Sequence, residues 1–135
     1  MEAAIALIER YYAAFNAGDM SAFVSLLARD VVHDINEGQR EVGRTAFGAF
    51  MTRMNTSYAE RLTDIVVMAT TDGTRAAAEF VVHGSYLESD DGLPEARGQS
   101  YVLPAGAFFE IRDGEIARIT NYYSLANWIA QVGRA

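Results

Sequence analysis

The chain contains no cysteine and no lysine, has only two prolines, and lacks any apolar run as long as a membrane span. Without cysteine there can be no disulfide, no thiolate chemistry and no cysteine-ligated zinc or iron–sulfur centre. All eleven basic residues are arginines, spread along the chain rather than clustered, and they face eighteen acids for a formal net charge of −7. A surface of that sign repels nucleic acid and anionic membranes, so neither is expected as a partner. The N-terminal stretch from Met1 to Tyr12 places an acid at Glu2 and has no basic segment ahead of a long apolar core. It predicts no signal peptide and no membrane anchor, which leaves the cytoplasm as the expected location. Histidine is also scarce. His33 and His83 are the two present, on separate predicted strands, so no metal site and no cofactor are expected.

What is present suits a single globular domain over residues 1–135, since half of the residues are hydrophobic and about a fifth are charged. Ile5, Ile8, Tyr12 and Phe15 recur at helical spacing over residues 2–17, with Gly18 placed to end the helix and Asp19 to cap the next. A second helix is predicted over "MSAFVSLLA", with Phe23, Leu26 and Leu27 on one stripe. The strand "VVHDIN" follows, and then Phe47, Phe50, Met51 and Met54 mark a third amphipathic helix within "REVGRTAFGAFMTRMN". The second half changes period. "YAERLTDIVVMA" and "RAAAEFVVHGSYLE" flank Thr71-Asp72-Gly73-Thr74, and "SYVLPAGAFFEI" and "EIARITNYY" flank Arg112-Asp113-Gly114, two hairpin signals. Pro104 and Gly106 suggest an edge position or a bulge in their strand. "SLANWIAQVGRA" reads as a final helix capped by Ser124. The predicted fold is α+β: a strongly curved antiparallel sheet wrapped as a cone around three N-terminal helices, with a short C-terminal helix.

The segment "VVHDINEG" carries the densest chemistry. Strand alternation puts Val32, Asp34 and Asn36 on one face and Val31, His33 and Ile35 on the other. Which face looks into the cone decides which groups are functional.

The order of elements, with "ERYYAAFNAGD", "GRTAFGAFM", "IRDGEIARI" and "NWIAQVG", resembles the nuclear-transport-factor-2-like superfamily, and within it the ketosteroid-isomerase and SnoaL-like branches. The resemblance spans nearly the whole chain. It implies a conical pocket for an apolar small molecule and a general base on the short strand nine residues before the glycine opening the third helix; a homodimer through the outer faces of the long strands is expected separately, because helices cover one side of the sheet while "FVVHGSY" and "VLPAGAFF" are apolar on both. Counting back from Gly43 gives Asp34. It also implies an oxyanion-binding tyrosine seven residues before the Gly-Asp pair, which is Tyr11. The third isomerase residue, an aspartate near the last hairpin, has no counterpart: Ala107 stands in its place.

As a buried base, Asp34 would have a raised pKa; the alternative is a carboxylate that ties down the loop Asn36–Gly38. Tyr11 is a hydrogen-bond donor or a core tyrosine with its hydroxyl at the rim. His83 is an acid or second donor, or a satisfied sheet histidine, and Tyr101 is another possible second donor. Ile119, Asn121 and Tyr123 share a strand face that the resemblance assigns to the pocket. Asn36, Phe50 and Met54 are expected at its wall, and Trp128 at its mouth or at a subunit contact. Two classes of function follow. One is a cofactor-independent isomerase or lyase using Asp34, with dehydratase or polyketide-cyclase chemistry as a variant. The other is a non-catalytic module that binds a ligand or a protein partner.

Overall fold

A computed structural model describes residues 1–133 and has the predicted α+β architecture. Three helices, α1 (Glu2–Ala17), α2 (Met20–Ser25) and α3 (Arg44–Ser57), alternate with β1 (Leu27–Asp34) and β2 (Arg40–Val42). Four long strands follow, β3 (Tyr58–Ala69), β4 (Arg75–Tyr86), β5 (Ser100–Arg112) and β6 (Glu115–Tyr123), and then α4 (Leu125–Val132). The strands form one six-stranded sheet in the order β2-β1-β6-β5-β4-β3. Its pairs are antiparallel except β1 with β6, so the sheet is mixed rather than wholly antiparallel.

Local chemistry explains most boundaries. Gly18 takes the left-handed conformation at φ 70°, and the N–H groups of Gly18 and Asp19 donate to Phe15 and Ala14 to close α1. The Asp19 carboxylate then accepts from the Ala22 N–H and starts α2. That second helix is shorter than its apolar stripe suggests, because Leu27 and Ala28 enter β1 and are buried there beside the hairpin β5–β6. The segment before Gly43 also departs from expectation: Arg40–Val42 is a strand that pairs with Val32–Asp34.

The long strands coincide with their sequence signals, but Pro104 does not mark an edge. β5 lies between β4 and β6, and its register shift falls at Glu110/Ile111. Pro104 is tolerated on the β6 side because that ladder ends at Ala105↔Tyr123, one residue away. The true edge next to the helices is β3, and α1 covers part of it. The Asn16 carboxamide donates to the Leu62 carbonyl and accepts from the Leu62 N–H, both at 2.9 Å, satisfying strand groups that have no neighbouring strand. The core lies between α1–α3 and the concave sheet face, around Ile8, Phe23, Leu27, Phe109, Ile116 and Ile119.

Candidate functional site

The helices do not fill the cone. A cavity of about 720 Å³ remains between α1, α3, α4 and the inner sheet face, large enough for a fused-ring ligand. Its wall is mainly aromatic and aliphatic, and Tyr11, Phe23, Phe47, Phe50, Met54 and Phe80 are among its residues. Polar groups enter it at a few points only.

His33 is the first of these. It is 2 % exposed, enclosed by the Phe47 and Phe50 rings at centroid distances of 4.5 and 4.8 Å, and it lines the cavity. Its Nδ1 lies 3.4 Å from Glu41 Oε1, on the β2 residue paired with it, and its Nε2 lies 3.5 Å from Asn121 Nδ2. These partners favour the tautomer with the proton on Nδ1, donating to the carboxylate, and the Nε2 lone pair turned to the amide. Burial lowers the imidazole pKa, and the Glu41 carboxylate opposes that shift only partly. The ring is therefore neutral at neutral pH and can accept a proton at Nε2.

Asp34 occupies the opposite face, as strand alternation requires, and that face is the outer one. Its carboxylate takes a two-pronged contact from Arg40, at 2.7 and 3.1 Å, and a hydrogen bond from the Thr120 hydroxyl at 2.6 Å. The Arg40 hydrogen bond is the main cause that holds its pKa down at about 2; burial opposes it only in part. The expected apolar surroundings and raised pKa are thus absent, and the geometry corrects the assignment of Asp34 to the cavity. Asn36, which follows the end of β1, turns the other way and lines the cavity. Its Oδ1 accepts from the Tyr123 N–H at 2.9 Å, while its Nδ2 is buried without a partner.

The remaining expected residues divide. Tyr11 lines the cavity, stacked on Phe23 at 4.3 Å, and its hydroxyl makes no hydrogen bond among the described residues; burial raises its pKa. Phe50, Met54, Asn121, Tyr123 and Trp128 also line it. Trp128, on α4, packs against Tyr58, Tyr86 and Tyr101 and closes one end. Ile119 is fully buried core beneath the wall rather than part of it. His83 lies on the outer face, since its β4 neighbours Val82 and Gly84 point inward, and its Nε2 is satisfied by Thr63 Oγ1 at 2.9 Å. Ala107 is buried opposite Asn121 and brings no polar group to the site.

Two carboxylates missing from the sequence-derived candidates reach the cavity. Glu60 on β3 accepts a hydrogen bond from the Tyr101 hydroxyl at 2.6 Å, and Asp90 accepts one from the Tyr58 hydroxyl at 2.8 Å. The Glu60 carboxyl is accessible from the cavity yet surrounded by protein, and this desolvation raises its pKa against the opposing Tyr101 bond. Tyr101 does not line the cavity itself but reaches Glu60 by lying across Gly84: Glu60, Gly84 and Tyr101 form one cross-strand row, and a Cβ on Gly84 would overlap the hydroxyl end of the Tyr101 ring. The signal for Glu60 was its alternation with Tyr58 and Leu62 on one strand face.

Comparison with known proteins bears on this arrangement. The model of the SnoaL-like domain matches residues 8–119. A Pseudomonas putida KT2440 protein, described as a candidate polyketide cyclase, is 64% identical, with a TM-score of 0.95 over 96% of this chain and 97% of its own. A Xanthomonas campestris pv. campestris protein of the same description is 58% identical, with a TM-score of 0.93 over 96% of each chain. A third, from Silicibacter sp. TM1040, is 53% identical, with a TM-score of 0.95 over 98% of this chain and 96% of its own. No curated protein matches the chain.

Proposed function

The chain belongs to the SnoaL-like family, and from that premise we propose that it binds an apolar, carbonyl-bearing ring molecule and catalyses proton transfer beside that carbonyl, with His33 as base. The observation that carries this reading is the His33 environment: a neutral imidazole in a largely apolar cavity, backed by Glu41 on one nitrogen and aimed at Asn121 with the other. In the proposed step, the Nε2 lone pair takes the proton from the carbon next to the carbonyl. The C–H electrons move to the oxygen, giving an enolate, and Glu41 steadies the imidazolium that forms. The Tyr11 hydroxyl and the Asn121 amide are donors for the oxyanion. Return of the proton at another carbon gives an isomer. Attack of the enolate carbon on a second carbonyl closes a ring, its C=O electrons passing to an alkoxide that takes the proton back from His33, and the descriptions of the similar bacterial proteins as candidate polyketide cyclases favour that outcome.

Deuterium uptake by 2-tetralone in heavy water tests the first step without knowledge of the natural substrate. The protein should accelerate uptake at the carbon between ring and carbonyl well beyond free imidazole at equal concentration, and His33→Gln should remove that acceleration. Uptake no faster than imidazole, or unchanged in His33→Gln, overturns His33 as the base.

The proposed assembly is a homodimer through the outer sheet face, where Val102, Phe108 and Tyr122 are 52%, 51% and 56% exposed. Apolar side chains of that size on one sheet face favour an interface.

A further inference from the structure

The end of the cavity that Trp128 closes has an electrostatic feature that proton transfer at His33 does not use. Four carboxylates elsewhere on the chain face a cationic partner: Asp34 meets Arg40, Glu41 meets Arg53, Glu110 meets Arg75 and Arg118, and Asp30 meets Arg112. Most of the other carboxylates have no such partner among the described residues, but Glu60 and Asp90 are the two that line the cavity. Each is held by a tyrosine hydroxyl, neither has an ion pair among the described residues, and no arginine lines the cavity that they face.

Their positions are built rather than incidental. Gly84 leaves the space in which the Tyr101 ring crosses β4 to reach Glu60. Asp90 sits on the long loop between β4 and β5, fixed by its N–H donating to the Tyr86 hydroxyl at 2.9 Å while that hydroxyl donates to the Pro94 carbonyl at 2.6 Å. The rings that carry these hydroxyls form one cluster. Tyr58 stacks on Tyr86 at 5.5 Å, and Trp128 meets both edge-on, at 5.9 and 4.9 Å. Tyr123 lines the same cavity, and burial, with the charges of Glu60, Glu37 and Asp90, raises its hydroxyl pKa. A second observation points to an occupant of the same cavity. The Tyr12 hydroxyl, on a side chain 4% exposed, is buried against the wall with no hydrogen-bond partner.

We propose that this end of the cavity is a cation subsite, and that the molecule whose carbonyl reaches His33 carries a protonated amine that lies among Tyr58, Tyr123 and Trp128 and pairs with Glu60 and Asp90. Aromatic faces attract an ammonium group, and partly desolvated carboxylates without a protein cation gain from one. The subsite deepens the proton-transfer reading by naming its substrate class, a basic ring ketone, and it rests on that reading for the carbonyl alone.

Binding of 1-naphthylmethylamine and of its neutral counterpart 1-naphthylmethanol, measured by calorimetry at neutral pH, tests the subsite. The amine should bind about tenfold more tightly or better, and Glu60→Gln together with Asp90→Asn should bring the two probes level. Each substitution keeps an oxygen to accept from its tyrosine, and near-ultraviolet circular dichroism reports whether the aromatic cluster remains folded. Asp90→Asn alone, expected to remove part of the preference, serves where the double variant fails to fold. Equal affinity for the two probes, no measurable binding of the amine, or an undiminished preference in the folded variants overturns the subsite. His33→Gln should retain the amine preference while losing deuterium uptake. A preference without uptake in the unmodified protein would overturn the catalytic reading and leave the subsite standing.

Discussion

Replacing Gly84 with alanine should damage the protein far more than the added methyl group suggests. In an ordinary strand position this change costs little or even helps, because alanine loses less backbone entropy than glycine. Here the new Cβ would overlap the Tyr101 ring, which is 2% exposed and confined by Trp128. The ring must leave its place, and its hydrogen bond to Glu60 goes with it. Overpacking costs about 1–3 kcal/mol, and loss of a hydrogen bond to a charged group about 1.5–3 kcal/mol. Because Glu60 can be rehydrated through the cavity, we expect a net loss near the lower end of the combined range, about 3 kcal/mol. For a chain of this length that is a fall in Tm of roughly 10 °C. Urea unfolding of a double-mutant cycle isolates the cause. Tyr101→Leu removes the ring, so adding Gly84→Ala to it should cost under about 1 kcal/mol, a strong non-additivity. If the two losses simply add, Tyr101 does not depend on the space at Gly84, and the assembly of the Glu60 site argued from that space is wrong.

Asp34→Asn should destabilise the protein and leave 2-tetralone exchange unchanged. The folded pKa of about 2 lies below the ordinary 3.8, so the carboxylate's contribution is present above pH 4 and is lost as pH falls from 4 towards 2. The full shift corresponds to about 2.5 kcal/mol, which solvent screening of the exposed Arg40 partner reduces to about 1 kcal/mol at neutral pH. Unfolding curves of the two proteins should converge near pH 2, and a stability difference that persists there would refute this account. Exchange catalysed by His33 should fall on the acid side with a midpoint below the ordinary histidine value of 6.5, because burial lowers its pKa. A midpoint above 6.5 would mean that Glu41 outweighs burial. Light scattering at micromolar concentration should give the mass of a dimer, and Phe108→Arg with Tyr122→Glu should give a monomer; a monomeric unmodified protein refutes the interface.

The elements were legible because their signals are local. Gly18-Asp19 ends one helix and caps another within a few residues, and Thr71–Thr74 and Arg112–Gly114 turn hairpins whose strands carry their own alternation. The second helix was overextended because Leu26 and Leu27 fit a helical stripe as well as a buried strand, and only pairing with Ile116 decides between them. No local pattern marks Arg40–Val42 as a strand, for its three residues gain stability only from β1. Tyr101 was a candidate on its own, but its link to Glu60 passes through Gly84, three strands that meet only in the folded sheet.

The exchange of Asp34 for His33 has a different origin. Strand alternation separates the two residues with certainty but does not say which face is concave. The family resemblance, counted back from Gly43, favoured the Asp34 face, although Val31, His33 and Ile35 on the other face could all be buried. Charge decides between the faces. An aspartate pointing into an apolar cavity needs a partner there, but the arginine six residues on at Arg40 returns along the paired strand and meets Asp34 on the outside. Histidine can enter the cavity because it sheds its charge when buried, and Glu41, next to Arg40 on the same strand, necessarily points to the His33 side. One hairpin register therefore sets both pairs at once: it neutralises the carboxylate outside and orients the base inside. A one-residue slip of that hairpin against β6 would exchange them, placing Asp34 in the cavity and His33 beside solvent.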